Sequence, residues 1–364
     1  MSIIDTFDNE TEAMIHLEDV CQKSTIQLDV CIINFSYKIM QALIEDDLIE
    51  LLDDSIIKSV SGNYPIYIYK NTKIGVVKTN IGAPLTVGLM EEIGYVFSCK
   101  KFVMFGSCGG LDKNIASNRI IIPTHAYRDE GVSYHYVKAS DYMEISNYKI
   151  VSEYLDILNI EYVLGRTWTT DAFYRETKGN FLKRKLEGCI AVEMEVSACQ
   201  AVANFRGYQL YNFLYRADNL DSSKWDKGIL SNIEIDERLK HFFIALEIAK
   251  RVVKISKIIG KEVKVIIDRP LGSHHLKYHN TIYVVNYGYV EGVIANDGEY
   301  QDAYVIGPCI PLEVFIGTII AIVHRKNDIE DKWVVAEKGK NYSKKQIEEY
   351  IQFQEQYFDY DIEI

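Results

Sequence analysis

The sequence lacks the features of a secreted, membrane-spanning or disulfide-rich protein. Its N-terminus has neither a basic n-region nor an apolar h-region, and no run approaches the ~18 apolar residues of a membrane span. Its 7 cysteines are odd in number and include no CxxC pair, so neither a disulfide framework nor a structural zinc site is expected. We therefore expect reduced thiols in a soluble, cytoplasmic protein with no membrane partner.

Basic charge is also scarce. The chain has 40 Lys and Arg residues against 52 Asp and Glu residues, a formal net charge of −12 that disfavours nucleic acid as a partner. Repeats and low-complexity tracts are absent, and a hydrophobic content of 48% indicates a globular chain able to bury a core. Because 364 residues exceed one average domain, two domains are expected.

Strand-like and helix-like segments alternate through the first 259 residues, which indicates an α/β layered domain. Residues 64–78 predict a hairpin with its turn at 70–73. Apolar runs predict a strand at 101–105 that enters a glycine-rich turn, and a strand at 120–122 that Pro123 ends. Further strands are predicted at 162–167 and 210–215, and helices at 84–92, 148–158, 195–205 and 235–258.

The pattern of hydrophobic residues and glycines changes near residues 259–261. Beyond Gly260, short β-rich runs separated by glycine continue to about residue 335, and a helix is predicted at 343–357. We therefore assign residues 1–259 to a first domain. Residues 260–364 would form a second, a small β-barrel with a closing helix.

A glycine-rich segment at 106–110 follows the buried strand of the first domain. Small residues leave backbone N–H groups accessible there, and Ser107 adds a hydroxyl. Together Gly106 and Ser107 could hold an oxyanion such as phosphate. The alternative is a tight turn that only packs a strand on a helix.

Carboxylates occupy two further positions where strands end. Glu193 and Glu195 flank Met194 in an apolar segment, where burying two acids is costly unless they are used. Serving the helix dipole is the alternative. Asp218 follows a strand, the place where α/β sheets bind ligands, although it could instead cap the next turn. Phe173 could stack on a ligand or pack in the core.

Six segments occur in the order found in nucleoside phosphorylases of the purine and uridine phosphorylase superfamily, and the chain resembles that family over about residues 25–255. The segments are 80–84, FGSCGGL at 105–111, RDEGVSYHY at 128–136, TTDAFYRE at 169–176, AVEMEVSA at 191–198 and RADNL at 216–220. The resemblance implies a central mixed sheet flanked by helices and a homo-oligomer. It also implies cleavage of a nucleoside with phosphate to free base and ribose 1-phosphate.

The resemblance further implies a role for each matching residue. It implies phosphate contacts from Lys38, Gly106 and Ser107, ribose and base contacts from Phe173, Glu193, Met194 and Glu195, a ribose contact across a subunit interface from His135, and protonation of a leaving purine by Asp218. Thr177 and Gly179 stand where uridine-selective members have Gln and Arg. A purine, or a broad base pocket, is therefore favoured.

Two departures concern the phosphate site. Residues 34–38 read Asn-Phe-Ser-Tyr-Lys where the family has Gly-Asp-Pro-x-Arg, and Met104 stands where the family has Arg. Lys38 keeps a charge but not the bidentate guanidinium fork. A hydrolytic nucleosidase that uses water is therefore one alternative, and a nucleoside-sensing fold without turnover is another.

Residues 262–358 resemble a shortened family I inorganic pyrophosphatase. The matching segments are 268–273, 277–278, 283–289, the acidic loop 297–302 and 330–332. The resemblance implies Mg²⁺ held by Asp297, Glu299, Asp302 and Glu330, and phosphate or pyrophosphate contacts from Lys277, Tyr283, Tyr287 and Lys332. Clustered carboxylates suit hard cations that activate water.

Departures leave the activity of this second domain open. His279 stands where the family has Glu, and Glu299 replaces its central Asp. A weak pyrophosphatase, a phosphate-ester hydrolase and an inert oligomerisation or sensing module are the alternatives. A solvated acidic turn is the plainest reading of loop 297–302.

Overall fold

The computed structural model describes residues 2–230, 233–256, 258–275, 281–295, 297–325 and 331–364. Contacts divide the chain into unit 1, Met1–Arg251, and unit 2, Val252–Ile364. The division falls within the helix Ile235–Ser256, whereas the sequence placed the boundary after that helix, near residues 259–261. Among the described residues, no helix is long and apolar enough to cross a bilayer. All seven cysteines are free thiols.

Unit 1 contains a large mixed sheet flanked by helices. Its strands are β1 Val30–Asn34, β2 Ile49–Ser59, β3 Gly62–Tyr69, β4 Ile74–Lys78, β5 Lys101–Gly110, β6 Ile120–Asp129, β7 Tyr142–Glu144, β8 Tyr162–Thr170, β9 Cys189–Glu193 and β10 Gln209–Asn219. Its α-helices are α1 Leu17–Val20, α2 Tyr37–Glu45, α3 Ala83–Val96, α4 Tyr148–Ile157, α5 Lys178–Leu186, α6 Val196–Arg206 and α7 Ile235–Ser256. Short 3₁₀ turns lie at Ile3–Asp5, Val132–His135 and Phe173–Arg175.

Strand β5 is the centre of this sheet. It pairs in parallel with β1 on one side and with β10 on the other, and near its end it pairs antiparallel with β9. Because β10 also pairs with β6, β6 with β8 and β8 with β9, these strands close into a ring. Strands β4, β3 and β2 extend the sheet beyond β1.

Two predicted strand ends are wrong. The glycine-rich segment is not a turn: β5 runs on to Gly110 because β10 pairs with it along its whole length. Likewise β6 continues past Pro123 to Asp129. The missing N–H of that proline is accommodated by a register shift between Pro123 and His125 in the pairing with β8.

The predicted helices and the hairpin are confirmed, with ends that differ by a few residues. Helix α6 is buried from Val196 to Ala203 because its small and apolar residues allow close packing against α3. It ends at Gly207, which has a φ of 67° in the left-handed region that glycine adopts without a steric penalty. Strands β3 and β4 form the predicted antiparallel hairpin.

Unit 2 contains a second, mainly antiparallel sheet. Its elements are β11 Glu262–Arg269, β12 Asn286–Ile294, β13 Tyr300–Val305, β14 Val314–Arg325, β15 Lys332–Ala336, α8 Lys344–Glu355 and β16 Tyr360–Glu363. Since β11 pairs with both β12 and β14, the strands β11, β12, β13, β15 and β14 close into a ring, the arrangement of a small barrel. Ile347 and Ile351 of the predicted closing helix α8 are buried in its core.

Candidate active site

A cavity of about 920 Å³ opens in unit 1 where β1, β5, β9 and β10 end. Three of the six motif segments, 169–176, 191–198 and 216–220, converge on it together with β5. Its lining includes Gly106, Ser107, Phe173, Glu193, Met194, Glu195 and Asp218, so most of the predicted site residues of this domain meet in one place. Phe35, Met104, Leu214 and Leu220 supply apolar wall.

The cavity reaches an unpaired edge of β5. Pairing between β5 and β1 stops at Met104, and pairing with β9 starts at Gly109. Gly106 and Ser107 lie in the interval, and Ser107 is exposed while its strand neighbours are buried. The backbone and hydroxyl of this short stretch can therefore contact a ligand even though the segment is a strand.

The cavity wall beside Ser107 has no charged side chain among its described lining residues. Phe35, Met104 and Asn212 line it beside Ser107. The amide nitrogen of Asn212 donates to the Met104 carbonyl at 3.0 Å, whereas its buried Oδ1 has no hydrogen-bond partner among the described residues. Lys178 and Lys224 are the cations among the lining residues, and they come from α5 and from the segment after β10.

Glu193 is fully engaged within the protein. One carboxylate oxygen accepts from the hydroxyls of Thr167 and Thr169, and the other accepts from the backbone N–H groups of Glu195 and Val196, both at 2.7 Å. Burial raises its pKa to about 7 although these hydrogen bonds oppose the shift. A ribose contact from Glu193, as the sequence predicted, would require one of these bonds to break.

Glu195 is the acid that the predicted ribose contact fits better. It is 8% exposed, and its Oε1 accepts from the N–H of Gly82, a residue of the segment 80–84, at 2.6 Å. Burial first, and then the charge of Glu193, raise its pKa to about 8. The neighbouring Met194 is only partly buried and also lines the cavity.

Asp218 lies at the end of β10, opposite Gly109 in the pairing with β5. A Cβ at Gly109 would lie 2.7 Å from the Leu220 side chain and 3.3 Å from the Asp218 carboxylate, so a larger residue there would require these side chains to shift. Burial raises the pKa of Asp218, while a 2.6 Å hydrogen bond from the Trp225 indole to its Oδ2 opposes the rise. A carboxyl group in this environment can hold a proton for transfer.

Sequence reasoning missed several lining residues. Trp225 and Glu176 both face the cavity, and burial together with the charge of Asp218 raises the pKa of Glu176 to about 7. Glu176 ends the TTDAFYRE segment, so its inclusion in a motif could have identified it. Trp225 stands in a polar stretch after a motif, where an isolated tryptophan is itself unusual.

Two predicted residues lie outside the cavity lining. Lys38 is an exposed residue in the first turn of α2 and is not among the residues that line the cavity, so its phosphate contact stays a prediction. His135 is exposed in the 3₁₀ turn Val132–His135. Its predicted ribose contact across a subunit interface stays a prediction, because that contact requires a second copy of the chain.

Three of the four residues predicted to contact phosphate in unit 2 are buried in its core. Tyr283, Tyr287 and Lys332 are 1%, 2% and 4% exposed. The Tyr287 hydroxyl and the Lys332 ammonium both bond to Asp302 Oδ2, at 2.5 Å and 2.7 Å. Lys277 lies outside the described residues. These side chains therefore contact one another, and none of the three is open to solvent.

The acidic loop of unit 2 does not fit a magnesium site in its described part. Asp297 and Glu299 are exposed, and Asp297 accepts the backbone N–H of Glu299 at 2.9 Å. Asp302 is engaged by Tyr287 and Lys332, and Glu330 lies outside the described residues. Within the described ranges no group of three or more His, Cys, Asp or Glu residues is placed to hold a metal ion.

The chain is similar in sequence to several known proteins. The chain is 28% identical over 138 residues to the DeoD-type purine nucleoside phosphorylase of Aliivibrio fischeri, which covers 37% of this chain and 58% of that relative. It is 27% identical over 188 residues to the DeoD-type enzyme of Caldanaerobacter subterraneus (50% of this chain, 78% of the relative). It is 26% identical over 200 residues to a guanosine phosphorylase of Halorubrum lacusprofundi (54% and 82%).

The chain thus spans a little over half the length of the first of these relatives. A family model described as the phosphorylase superfamily matches residues 31–254, which is more than half of the chain and includes every lining residue of the cavity. By this match the protein belongs to the phosphorylase superfamily.

Proposed function

We propose that unit 1 cleaves the N-glycosidic bond of a purine nucleoside, with inorganic phosphate as the attacking group, to give free base and ribose 1-phosphate. The observation that carries the proposal is the convergence of Ser107, Glu195 and Asp218 on one cavity, beside the aromatic ring of Phe173. Ser107 can contact the attacking phosphate, Glu195 can bind the ribose, and Asp218 can protonate the leaving base.

The chemistry follows from charge development. As the bond to the base lengthens, the ribose gains positive charge and the base gains negative charge. A protonated Asp218 can donate to the base nitrogen as the bond breaks, since burial keeps its proton available. Glu195, held by the Gly82 N–H, can hydrogen-bond ribose hydroxyls and fix the sugar over Ser107.

The test is base release from inosine, adenosine, guanosine and uridine, each with and without phosphate, quantified by chromatography. Phosphorolysis predicts release of a purine base that depends on phosphate, together with ribose 1-phosphate in equal amount. If the protein cleaves none of these nucleosides, the proposal is refuted. It would favour the ligand-binding alternative, which equilibrium binding of the same nucleosides would then detect.

Hydrolysis is a second candidate, and the uncharged cavity wall beside Ser107 favours it. A phosphate dianion there would face Phe35, Met104 and the unpartnered Oδ1 of Asn212. An amide oxygen is an acceptor and suits the O–H of a water molecule. Base release at full rate without phosphate, with free ribose as the second product, would establish the nucleosidase.

For unit 2 we propose a pyrophosphatase-like barrel that binds phosphate or pyrophosphate. Its closed ring of strands supports the barrel. Contacts of Tyr287 and Lys332 with phosphate would require their bonds to Asp302 to break. Calorimetric titration of the whole protein with pyrophosphate, with and without Mg²⁺, tests binding, and phosphate release tests hydrolysis. The Mg²⁺ requirement stays a prediction. If titration gives no binding heat and no phosphate is released, the inert module is the correct alternative.

A further inference from the structure

Unit 1 has a second cavity, of about 630 Å³, that shares no lining residue with the first. It lies between the loop before β6, the residues that follow α4 and the N-terminal half of α7. Its apolar wall consists of Ile120, Leu158, Ile160, Phe243 and Ile244. Phe243 is 39% exposed, so part of this aromatic side chain is accessible to a ligand.

Two residues of this wall have buried polar atoms without a hydrogen-bond partner among the described residues: Oδ1 of Asn118 and Nδ1 of His241. The Asn118 Nδ2 donates to Glu237 Oε2 at 2.9 Å, which identifies the unpartnered amide atom as the oxygen, an acceptor. His241 is 3% exposed, and burial lowers the pKa of its imidazole to about 4, so the ring is neutral near pH 7. Because an unsatisfied buried polar atom is costly, both atoms indicate a missing partner.

Strand β10 holds these two residues in place. The backbone N–H of Asn118 donates to the Arg216 carbonyl at 2.8 Å, and the N–H of Arg216 donates to the Arg119 carbonyl at 3.0 Å. The His241 ring stacks on Tyr215, with ring centroids 3.9 Å apart and an interplanar angle of 3°. The polar atoms are therefore positioned before a ligand binds, which lowers the entropic cost of binding.

The charge of the wall favours an uncharged ligand. Each charged side chain that lines the cavity forms an ion pair: Arg119 with Glu161, Lys240 with Glu237 and Glu247 with Lys250. A charged ligand would compete with these pairs, whereas an uncharged ligand leaves them intact. The Asn118 oxygen requires an N–H or O–H from the ligand, and a neutral imidazole can pair with either a donor or an acceptor.

We propose that this cavity binds an uncharged nitrogen heterocycle, with a ring N–H donated to Asn118, a neighbouring polar atom bonded to His241 and the flat ring against Phe243. A free nucleobase has this chemistry, because a ring N–H lies next to a carbonyl oxygen or a ring nitrogen. The base released by unit 1 belongs to this class, and only that identification rests on the proposed function.

The experiment measures base binding while the first cavity is filled. The whole protein is saturated with phosphate and 9-deazainosine, a carbon-linked nucleoside whose glycosidic C–C bond is not cleaved, and is then titrated with hypoxanthine in a calorimeter. We expect one hypoxanthine bound per chain. 1,7-Dimethylhypoxanthine has the same ring system but no N–H, so it should bind at least about tenfold more weakly.

Two variants each remove one of the polar atoms. His241→Phe keeps an aromatic ring beside Tyr215 but has no nitrogen, and Asn118→Gly removes the amide at a position whose φ of 64° suits glycine. Each should weaken hypoxanthine binding by about tenfold or more. Asn114→Ala is the matched control, because Asn114 is an exposed asparagine of the same loop that does not line the cavity. Thermal unfolding of each variant reports that it is folded.

Absence of hypoxanthine binding to the filled protein would overturn the inference. So would binding that His241→Phe and Asn118→Gly both leave unchanged, or equal affinity for the dimethyl derivative.

Failure of the proposed function gives a different result. If 9-deazainosine does not bind and no nucleoside is cleaved, hypoxanthine should still bind at one site, which His241→Phe weakens and Asp218→Asn does not. A protein that neither cleaves nucleosides nor binds hypoxanthine would reject both proposals.

Discussion

The cavity of unit 1 and the core of unit 2 hold their carboxyl groups in opposite ways. In the cavity of unit 1, Glu193, Glu195 and Asp218 receive hydrogen bonds from neutral groups: threonine hydroxyls, backbone N–H groups and the Trp225 indole. Burial raises the pKa of each of these three acids. Neutral donors do not cancel the cost of burying a negative charge, so these groups retain protons closer to neutral pH.

In unit 2 the buried carboxylates are paired with cations. Glu355 is 0% exposed and forms a two-point pair with Arg325, at 2.8 Å and 2.6 Å. Asp302 pairs with Lys332, and His324 lies between Asp331 and Glu363, at 2.9 Å and 3.3 Å. Burial opposes the charged form of His324, but its bonds to the two acids prevail and raise its pKa to about 9.

This contrast indicates where proton transfer can occur. A general acid needs a proton that it can give up near the working pH, and unit 1 contains such groups facing a cavity. Ion pairs that are buried hold their geometry and are costly to break. Chemistry is therefore expected from the unit 1 cavity, while the charge pairs of unit 2 are expected to stabilise its fold. The following predictions test that division.

The largest expected effect is on turnover in unit 1. Asp218→Asn keeps the shape of the side chain and an acceptor for the Trp225 indole but removes the transferable proton. Loss of general-acid catalysis should lower kcat for base release by about 10²–10⁴-fold, with little change in binding of a carbon-linked nucleoside. Steady-state kinetics and calorimetry measure the two effects, and an unchanged kcat would remove Asp218 from the mechanism.

The next effect is on the stability of unit 2. Arg325→Met leaves Glu355 buried without its cation, which should lower the free energy of unfolding by about 3–5 kcal/mol. Denaturant unfolding measures the loss. The double variant Arg325→Met/Glu355→Leu serves as the control, because removing both charges should recover much of the stability. Equal losses in the single and double variants would contradict the pairing argument.

A pH-dependent effect should come from His324. Its folded-state pKa, about 9, lies above its ordinary value of 6.5, so its ion pairs stabilise the protein fully below pH 6.5. That contribution, at most about 3 kcal/mol, should disappear as the pH rises through 9. Thermal unfolding of the wild type and of His324→Gln at several pH values measures it. The difference between the two proteins should shrink over this range, and a constant difference would contradict the assignment.

The smallest effect is expected at Trp225. Its indole N–H stabilises the ionised form of Asp218, so Trp225→Phe should raise the pKa of that acid. Since the protonated form is the active one, the alkaline limb of the profile of kcat/KM against pH should move to higher pH. A shift to lower pH, or none, would show that the indole does not tune this carboxyl group.

Local sequence patterns predicted most elements because their causes are local. The helical patterns of 195–205 and 235–258 and the alternation of 64–78 are each properties of a short segment, and each prediction is confirmed. The strand ends at Phe105 and Ile122 were wrong because β10 and β8 continue the pairing. A glycine run or a proline does not end a strand when a neighbouring strand satisfies its backbone.

The sequence by itself also indicated the family resemblance and the residues that meet in the cavity, because short motifs keep chemistry-bearing side chains at fixed spacing. Only the tertiary structure decided how each acid is used. Among the described residues, the Glu193 carboxylate accepts four hydrogen bonds and the Glu176 carboxylate accepts none, and Lys38 is not one of the residues that line the cavity. These differences depend on strands and loops distant in sequence, and hydrogen bonds and burial, which set both availability and pKa, exist only once the chain has folded.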